Sequence, residues 1–263
     1  MPNLILIPPK GLYATPMRGP RGHVFPQMSL AHMFSDFDYH SAYTQACRMG
    51  AFTILDNGAA EGSTVTPDAL LKIAKDLLPS EIVCPDVLQN AEETKYQVKC
   101  FADKATAFKN VHETIKYMAV VQGVTLDELY DMVDFYAGYG WITTLGIPRW
   151  LISKFSKAVR IDLATWVKQR YDDRFEIHLL GTNSEWYGET RSVGRYAPFV
   201  RSIDTSLPYN LAMVNKGIWR VATETHLPVQ RPKDYFIRDY KHLIKNPFLQ
   251  DNIMTLRRWA KGE

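Results

Sequence analysis

The sequence predicts a single (β/α)8 barrel, and three observations predict it. Short apolar runs alternate with amphipathic helical stretches along a 263-residue chain, the pattern of parallel strands joined by crossover helices. No GxGxxG or P-loop signature follows any of those runs, which removes the usual reason to prefer an open nucleotide-binding sheet. Three runs, "FTILD", "EIVCPD" and "FVRSID", finish in a carboxylate, and barrel strands aim their last residues at one shared mouth.

Strands are expected over residues 4–7, 52–55, 82–84, 118–121, 141–144, 176–180, 200–203 and 218–222, each a short apolar or β-branched run between turn residues. The stretch "PPKGLYATPMRGPRGHVFP" reads as a long loop after the first strand, placed to cover the mouth. "TPDALLKIAKDLL" reads as a helix with Thr66 as N-cap, Pro67 at the first helical position and an apolar face at Leu70, Leu71, Ile73, Ala74, Leu77 and Leu78. "TLDELYDMVDFYAGYG" repeats that design, with Thr125 as cap and Gly138 as stop. Composition shifts only after residue 223, towards Pro, Lys, Arg and aromatics. Residues 1–223 are therefore expected to form the catalytic barrel and 224–263 a basic extension packed on it.

The bulk properties exclude several classes. No run approaches the ~18 uninterrupted apolar residues of a membrane helix. The start "MPNLILIPPKG" reads as a strand rather than a secretion signal, so a cytoplasmic protein is expected. Cys47, Cys84 and Cys100 lie in no CxxC or CxxH spacing, which disfavours disulfides and structural zinc. The seven histidines form no HExxH or HxH pattern, so neither a metal nor another cofactor is expected, and His178, inside a strand, reads as a hydrogen-bonded core histidine. Residues 216–263 hold ten Lys or Arg against five Asp or Glu. That cationic tail, with Trp219, Tyr235, Tyr240 and Trp259, fits a polyanion whose phosphates it neutralises and whose bases it stacks on, or else a solvated helical cap.

On the barrel reading Asp56, Asp86, Gln122, Gly146 and Asp204 share one cavity. A single Asp after a strand is commonly a turn former or helix cap. Three at one mouth are different, because like charges raise one another's pKa and divide into a protonated acid and an ionised base or nucleophile. The Gln122 amide donates and accepts together, as a purine edge requires, and Gly123 and Gly146 let backbone N–H groups approach a flat ligand. The set points to hydrolysis or transfer at the glycosidic bond of a nucleoside-type substrate, by the two-carboxylate logic of retaining glycosidases.

Read in order, "DNGAAEG", "PDVLQN", "VVQG", "TTLG", "HLLG" and "DTSLP" resemble the strand ends of the tRNA-guanine transglycosylase superfamily. The resemblance covers about residues 50–210, and its specificity lies in the ordered set rather than in any one motif. It implies a (β/α)8 barrel in which Asp204 is the nucleophile that holds the sugar covalently. Asp56 is then the general acid/base, and Asp86, Gln122, Gly123, Leu145, Gly146, Asn57 and Leu180 form the base-binding set.

The departures narrow the resemblance. The tail contains no cysteine, whereas the tRNA enzymes carry a Cys/Cys/Cys/His zinc site there. "PYNLAM" replaces their Arg-containing RNA-gripping segment, Ala60 stands for an aromatic, and Val87 for an acid. A shortened, zinc-free chain with a different basic tail is most similar to the DpdA-type 7-deazaguanine DNA transglycosylases of bacteriophages. That branch implies exchange of guanine in flipped or single-stranded DNA for a 7-deazaguanine such as preQ0. Arg18, Arg21, Arg191, Arg195, Arg201, Arg257, Arg258 and Lys261 are then the candidate nucleic-acid contacts. The alternatives are the same exchange on tRNA and a catalytically silent nucleic-acid-binding subunit.

Overall fold

The structure is a computed structural model that describes residues 3–13, 25–63, 65–182, 187–218 and 231–262. Eight parallel strands close into a barrel in sequence order. Along the chain run β1 (Asn3–Leu6), β2 (Gln27–Leu30), α1 (Phe37–Arg48), β3 (Thr53–Asp56), α2 (Pro67–Leu77), β4 (Glu81–Val83), α3 (Ala91–Val111), β5 (Lys116–Val120) and α4 (Leu126–Ala137). Then follow β6 (Thr144–Pro148), α5 (Leu151–Lys154), α6 (Val159–Tyr171), β7 (Glu176–Leu180), α7 (Tyr187–Tyr196), β8 (Ser202–Thr205), α8 (Leu207–Met213) and a last helix, α9 (Pro247–Ala260). The strand β8 returns to β1 with Asp204 opposite Ile5, which closes the barrel.

The local rules hold where they are strongest. The Thr66 side chain caps α2 by accepting from the Ala69 N–H at 3.3 Å, and Leu70, Ala74 and Leu77 are buried beneath it. Leu78, expected on that face, instead adopts a left-handed conformation and is exposed, because the helix ends one residue before it. Thr125 and Glu128 form a complete capping box on α4, which Gly138 terminates.

Two strand expectations are corrected. Of the strand expected at 218–222, Ile218 is helical and the other residues lie outside the described set. The missing strand is β2, in the segment read as loop. Its sequence QMSL carries two polar residues, and its order comes from pairing with β3 over four residues and from α1, whose Tyr43 hydroxyl donates to the Met28 carbonyl at 3.0 Å. The fifth expected strand, at 141–144, begins at Thr144 instead, since residues 139–142 make a turn closed by the Ile142 N–H on the Tyr139 carbonyl at 3.1 Å.

Alternation along the strands divides the interior from the outer core. Ile5, Ile7, Met28, Ile54, Val83, Met118 and Val120 form an apolar belt inside the barrel, while Leu55, Ile82, Ala119, Leu145, Ile147, Leu179 and Ile203 pack outward among the helices. The tail completes this outer layer. Leu249, Ile253, Leu256 and Ala260, at helical spacing on α9, are buried with Leu4, Leu6 and Leu211. Tyr235 and Tyr240 are buried as well, so these tail aromatics are core rather than a stacking platform for bases, and Trp219 lies outside the described residues. Among the described residues no helix is long and apolar enough to cross a membrane.

Candidate active site

The C-terminal ends of the strands surround a cavity of about 660 Å³, with Asp56, Asp86, Gln122, Leu180 and Asp204 in its wall, a size that suits a nucleoside-sized ligand. Strand register brings Asp56, Leu180 and Asp204 there, while Asp86 and Gln122 come from the loops just after β4 and β5. Ile54 and Asp56 share the inward face of β3, as His178 and Leu180 do on β7 and Ser202 and Asp204 on β8, because alternate residues face the same way. The three acids of the sequence pattern therefore converge.

Asp204 is buried. Its Oδ1 accepts the Gly181 backbone N–H at 2.7 Å and lies 3.0 Å from His178 Nε2. Gly181 is held in turn by Arg160, whose guanidinium is fully buried. Arg160 Nε and Nη2 donate to the two Glu189 oxygens at 2.7 and 2.6 Å, Nη1 donates to the Ile147 and Leu180 carbonyls, and Nη2 to the Gly181 carbonyl. All five guanidinium hydrogens are used, so the exits of β6 and β7 are tied to one rigid fork.

Asp56 sits in a different environment. Burial raises its pKa well above the usual carboxylate range, and the neighbouring Glu61, Asp86 and Asp204 charges push it further. A single N–H bond from Gly58, at 3.2 Å on Oδ2, opposes them. That turn needs its glycine: Gly58 has φ +84°, and a Cβ there would come within 2.7 Å of His32 Nδ1. Asp86 is raised by burial too, but hydrogen bonds from Asn57 and Gln122 pull it back. Asn57 Nδ2 holds its Oδ1 and Gln122 Nε2 its Oδ2, each at 2.6 Å. Gln122 Oε1 then accepts from the Gln89 N–H at 2.9 Å and from Trp150 Nε1 at 3.2 Å. The result is a preset amide–carboxylate–amide clamp beside an acid whose pKa is raised.

Several expected site residues lie elsewhere. Gly146 is in the middle of β6, where a Cβ would meet Leu180 Cδ1 at 2.9 Å and Met118 Sδ at 3.0 Å; Leu145 beside it points outward into the helical core. The late start of β6 brings Pro148, Arg149 and Trp150 to the cavity instead. Gly123 is packed against Glu128 Cβ at the start of α4 and does not line the cavity.

Of the expected nucleic-acid contacts, Arg201 is at the opposite end of the barrel. It donates to Glu81 at 2.6 and 2.9 Å and to Glu176 at 3.0 Å, both at strand starts. Arg257 stacks over Phe25, just before β2, with centroid distance 4.6 Å, and Arg191 stacks over Trp259 at 5.4 Å. Arg258 lies beside Arg257 in the last turn of α9 and Lys261 is its C-cap, and Arg195 stacks on Tyr196 in the last turn of α7 at 5.3 Å. These cations sit on the flank and entry end of the barrel, because α7 and α9 pack side by side there. Arg18 and Arg21 lie outside the described residues.

The residues missed by sequence reasoning are Glu61, Arg149, Trp150, Arg231 and Asn210, all in the cavity wall, and His178 behind it. Arg231 reaches Glu61 at 2.9 Å from the tail, a contact between segments too distant for any local pattern to show. For His178 the signal was present: it lies two residues before Leu180 on the same strand face. The expectation of a hydrogen-bonded core histidine holds, and its partner is Asp204. No protein-family model matches the chain, and no curated protein matches it significantly.

Proposed function

We propose that the protein is a base-exchanging transglycosylase that replaces guanine in DNA with a 7-deazaguanine through a covalent intermediate on Asp204. The observation that carries this reading is the division of labour among three acids at one barrel mouth. Asp204 is tethered through Oδ1 by two N–H groups. Asp56 has its pKa raised by burial and like charge, and Asp86 is clamped between two amides.

A carboxylate oxygen of Asp204 attacks C1′ as the C1′–N9 bond breaks, and the bond electrons leave with guanine. Asp56 gives the departing base its proton. The incoming 7-deazaguanine loses its N9 proton to Asp56, N9 attacks C1′, and the Asp204 carboxylate is released, so atoms and charge return to their starting state. Asp86 and its amides meet the donor edge of the base, and Leu180 packs on its face. DNA is favoured over tRNA because residues 101–263 contain no cysteine to match the zinc ligands of the tRNA enzymes.

The test offers the protein guanine-containing DNA, tRNA and 7-cyano-7-deazaguanine, followed by nucleoside digestion and mass spectrometry. A modified deoxynucleoside is expected. Modified tRNA alone would move the substrate to RNA, and no product in either would favour a silent subunit.

A further inference from the structure

Among the described residues the interior of the barrel is apolar at mid-height except along one line. Arg201 Nε donates to Ser202 Oγ at 3.1 Å, Ser202 Oγ lies 2.8 Å from His178 Nδ1, and His178 Nε2 lies 3.0 Å from Asp204 Oδ1. His178 is opposite Ser202 in the β7–β8 register and wholly buried. The remaining donors of Arg201 are spent on Glu81, Glu176 and Thr144, so the guanidinium is anchored.

The direction of each proton follows from the two ends of the line. A carboxylate only accepts, so His178 Nε2 donates to Asp204 Oδ1, and Ser202 Oγ, which accepts from Arg201, has its own hydrogen free to donate to His178 Nδ1. An imidazole that accepts at Nδ1 carries its proton on Nε2, and that proton points at Asp204. With Ser202 at Nδ1 and Asp204 at Nε2, both ring nitrogens of this buried histidine have hydrogen-bond partners.

The geometry points to His178 as a positioning residue for the nucleophile, fixed in its Nε2–H tautomer by Ser202 and Arg201. Among the described residues both bonds to the Asp204 carboxylate fall on Oδ1. That fixes the carboxylate plane and leaves Oδ2 as the oxygen turned to the cavity. The role in catalysis rests on the reading of Asp204 as nucleophile; the tautomer does not.

Two measurements test it. Imidazole nitrogen shifts in ¹⁵N-histidine protein should show a buried ring protonated on Nε2 that is lost in His178→Gln, and a ring protonated on Nδ1 would overturn the inference. In single-turnover assays His178→Leu should slow formation of the glycosyl-enzyme by about 100-fold, the cost of a misaligned attacking group, with Kd for DNA unchanged. His178→Gln, whose side-chain amide keeps an N–H donor, should recover most of that loss. A Leu variant as fast as the parent, or a Gln variant no better than Leu although both melt like the parent, sinks the proposal. Should the parent protein exchange no base at all, the functional reading fails, and the tautomer alone decides the positioning.

Discussion

Arg201 and Asp204, separated only by Ser202 and Ile203, serve opposite ends of the same barrel. Arg201 closes the entry end on Glu81, at 2.6 Å, while Asp204 stands in the cavity at the exit. A charge expected to grip DNA is thus part of the scaffold that holds the Asp204 strand.

The consequence is testable by substitution. Glu81 is fully buried, and removing one partner of a buried pair strands the other charge, at a cost of about 3–5 kcal/mol. Arg201→Met should therefore lower the midpoint of urea unfolding sharply. The salt dependence of DNA binding, measured on the folded fraction, should not change. A stable variant with a weakened salt slope would return Arg201 to the nucleic-acid interface.

Asp56 makes a pH prediction. Its pKa is raised in the folded state by burial and by Glu61, Asp86 and Asp204. Between the ordinary carboxylate value of about 3.9 and that raised value, the native protein holds a proton the unfolded chain has lost. Stability from this group is therefore full at low pH and falls as pH rises through the window. Asp56→Asn removes that loss, so the variant should melt higher than the parent at neutral pH, by about 2–4 °C for each kcal/mol recovered, while base exchange is abolished. Glu61→Gln removes a like charge from beside Asp56, so the alkaline limb of the exchange rate should move to lower pH. An unmoved limb would mean that another group supplies the proton.

The fold and the acids were legible because both are local signals. The capped helices α2 and α4 write their ends into three or four adjacent residues, and Asp56 ends β3 while Asp204 is the last residue but one of β8. The strand β2 was illegible because Gln27 and Ser29 interrupt its apolar run; Ser29 is satisfied by the Ile54 carbonyl at 3.2 Å, a partner on another strand. Arg201 was misread for the same reason, since Glu81 is 120 residues away in sequence. Gly146 was displaced because a glycine near a strand end carries no mark of which turn of the chain begins the strand. Charge partners and strand starts are tertiary facts, and composition is silent on them.

Arg160 offers a prediction about precision rather than affinity. It is wholly buried against Glu189 and ties the Leu180 and Gly181 carbonyls together. Gly181 in turn gives its N–H to Asp204. Arg160→Met leaves Glu189 buried without its partner, so a loss of about 3–5 kcal/mol is expected, read by chemical denaturation. The double change Arg160→Met with Glu189→Leu removes both charges and should regain much of the stability. Its exchange rate should stay depressed, because the carbonyls at the exits of β6 and β7 have lost their common donor. Full activity in the double variant would show that the fork does not position Asp204.

The cations at the mouth give the last test. Arg149 and Arg231 line the cavity, whereas Arg257 is stacked on Phe25 at the flank. A phosphate contact contributes about 0.9 to the slope of log K against log salt in duplex DNA and about 0.7 in single strands. Arg149→Ala should therefore reduce the slope by roughly one contact, with no change in melting temperature, since its side chain is exposed. Arg231→Ala should reduce it less, because part of its charge is already committed to Glu61. Arg257→Ala should leave the slope where it was. If Arg257 carries the larger effect, the DNA runs along α9 and the flank rather than across the mouth, and a flipped nucleotide would have to reach Asp204 from that side.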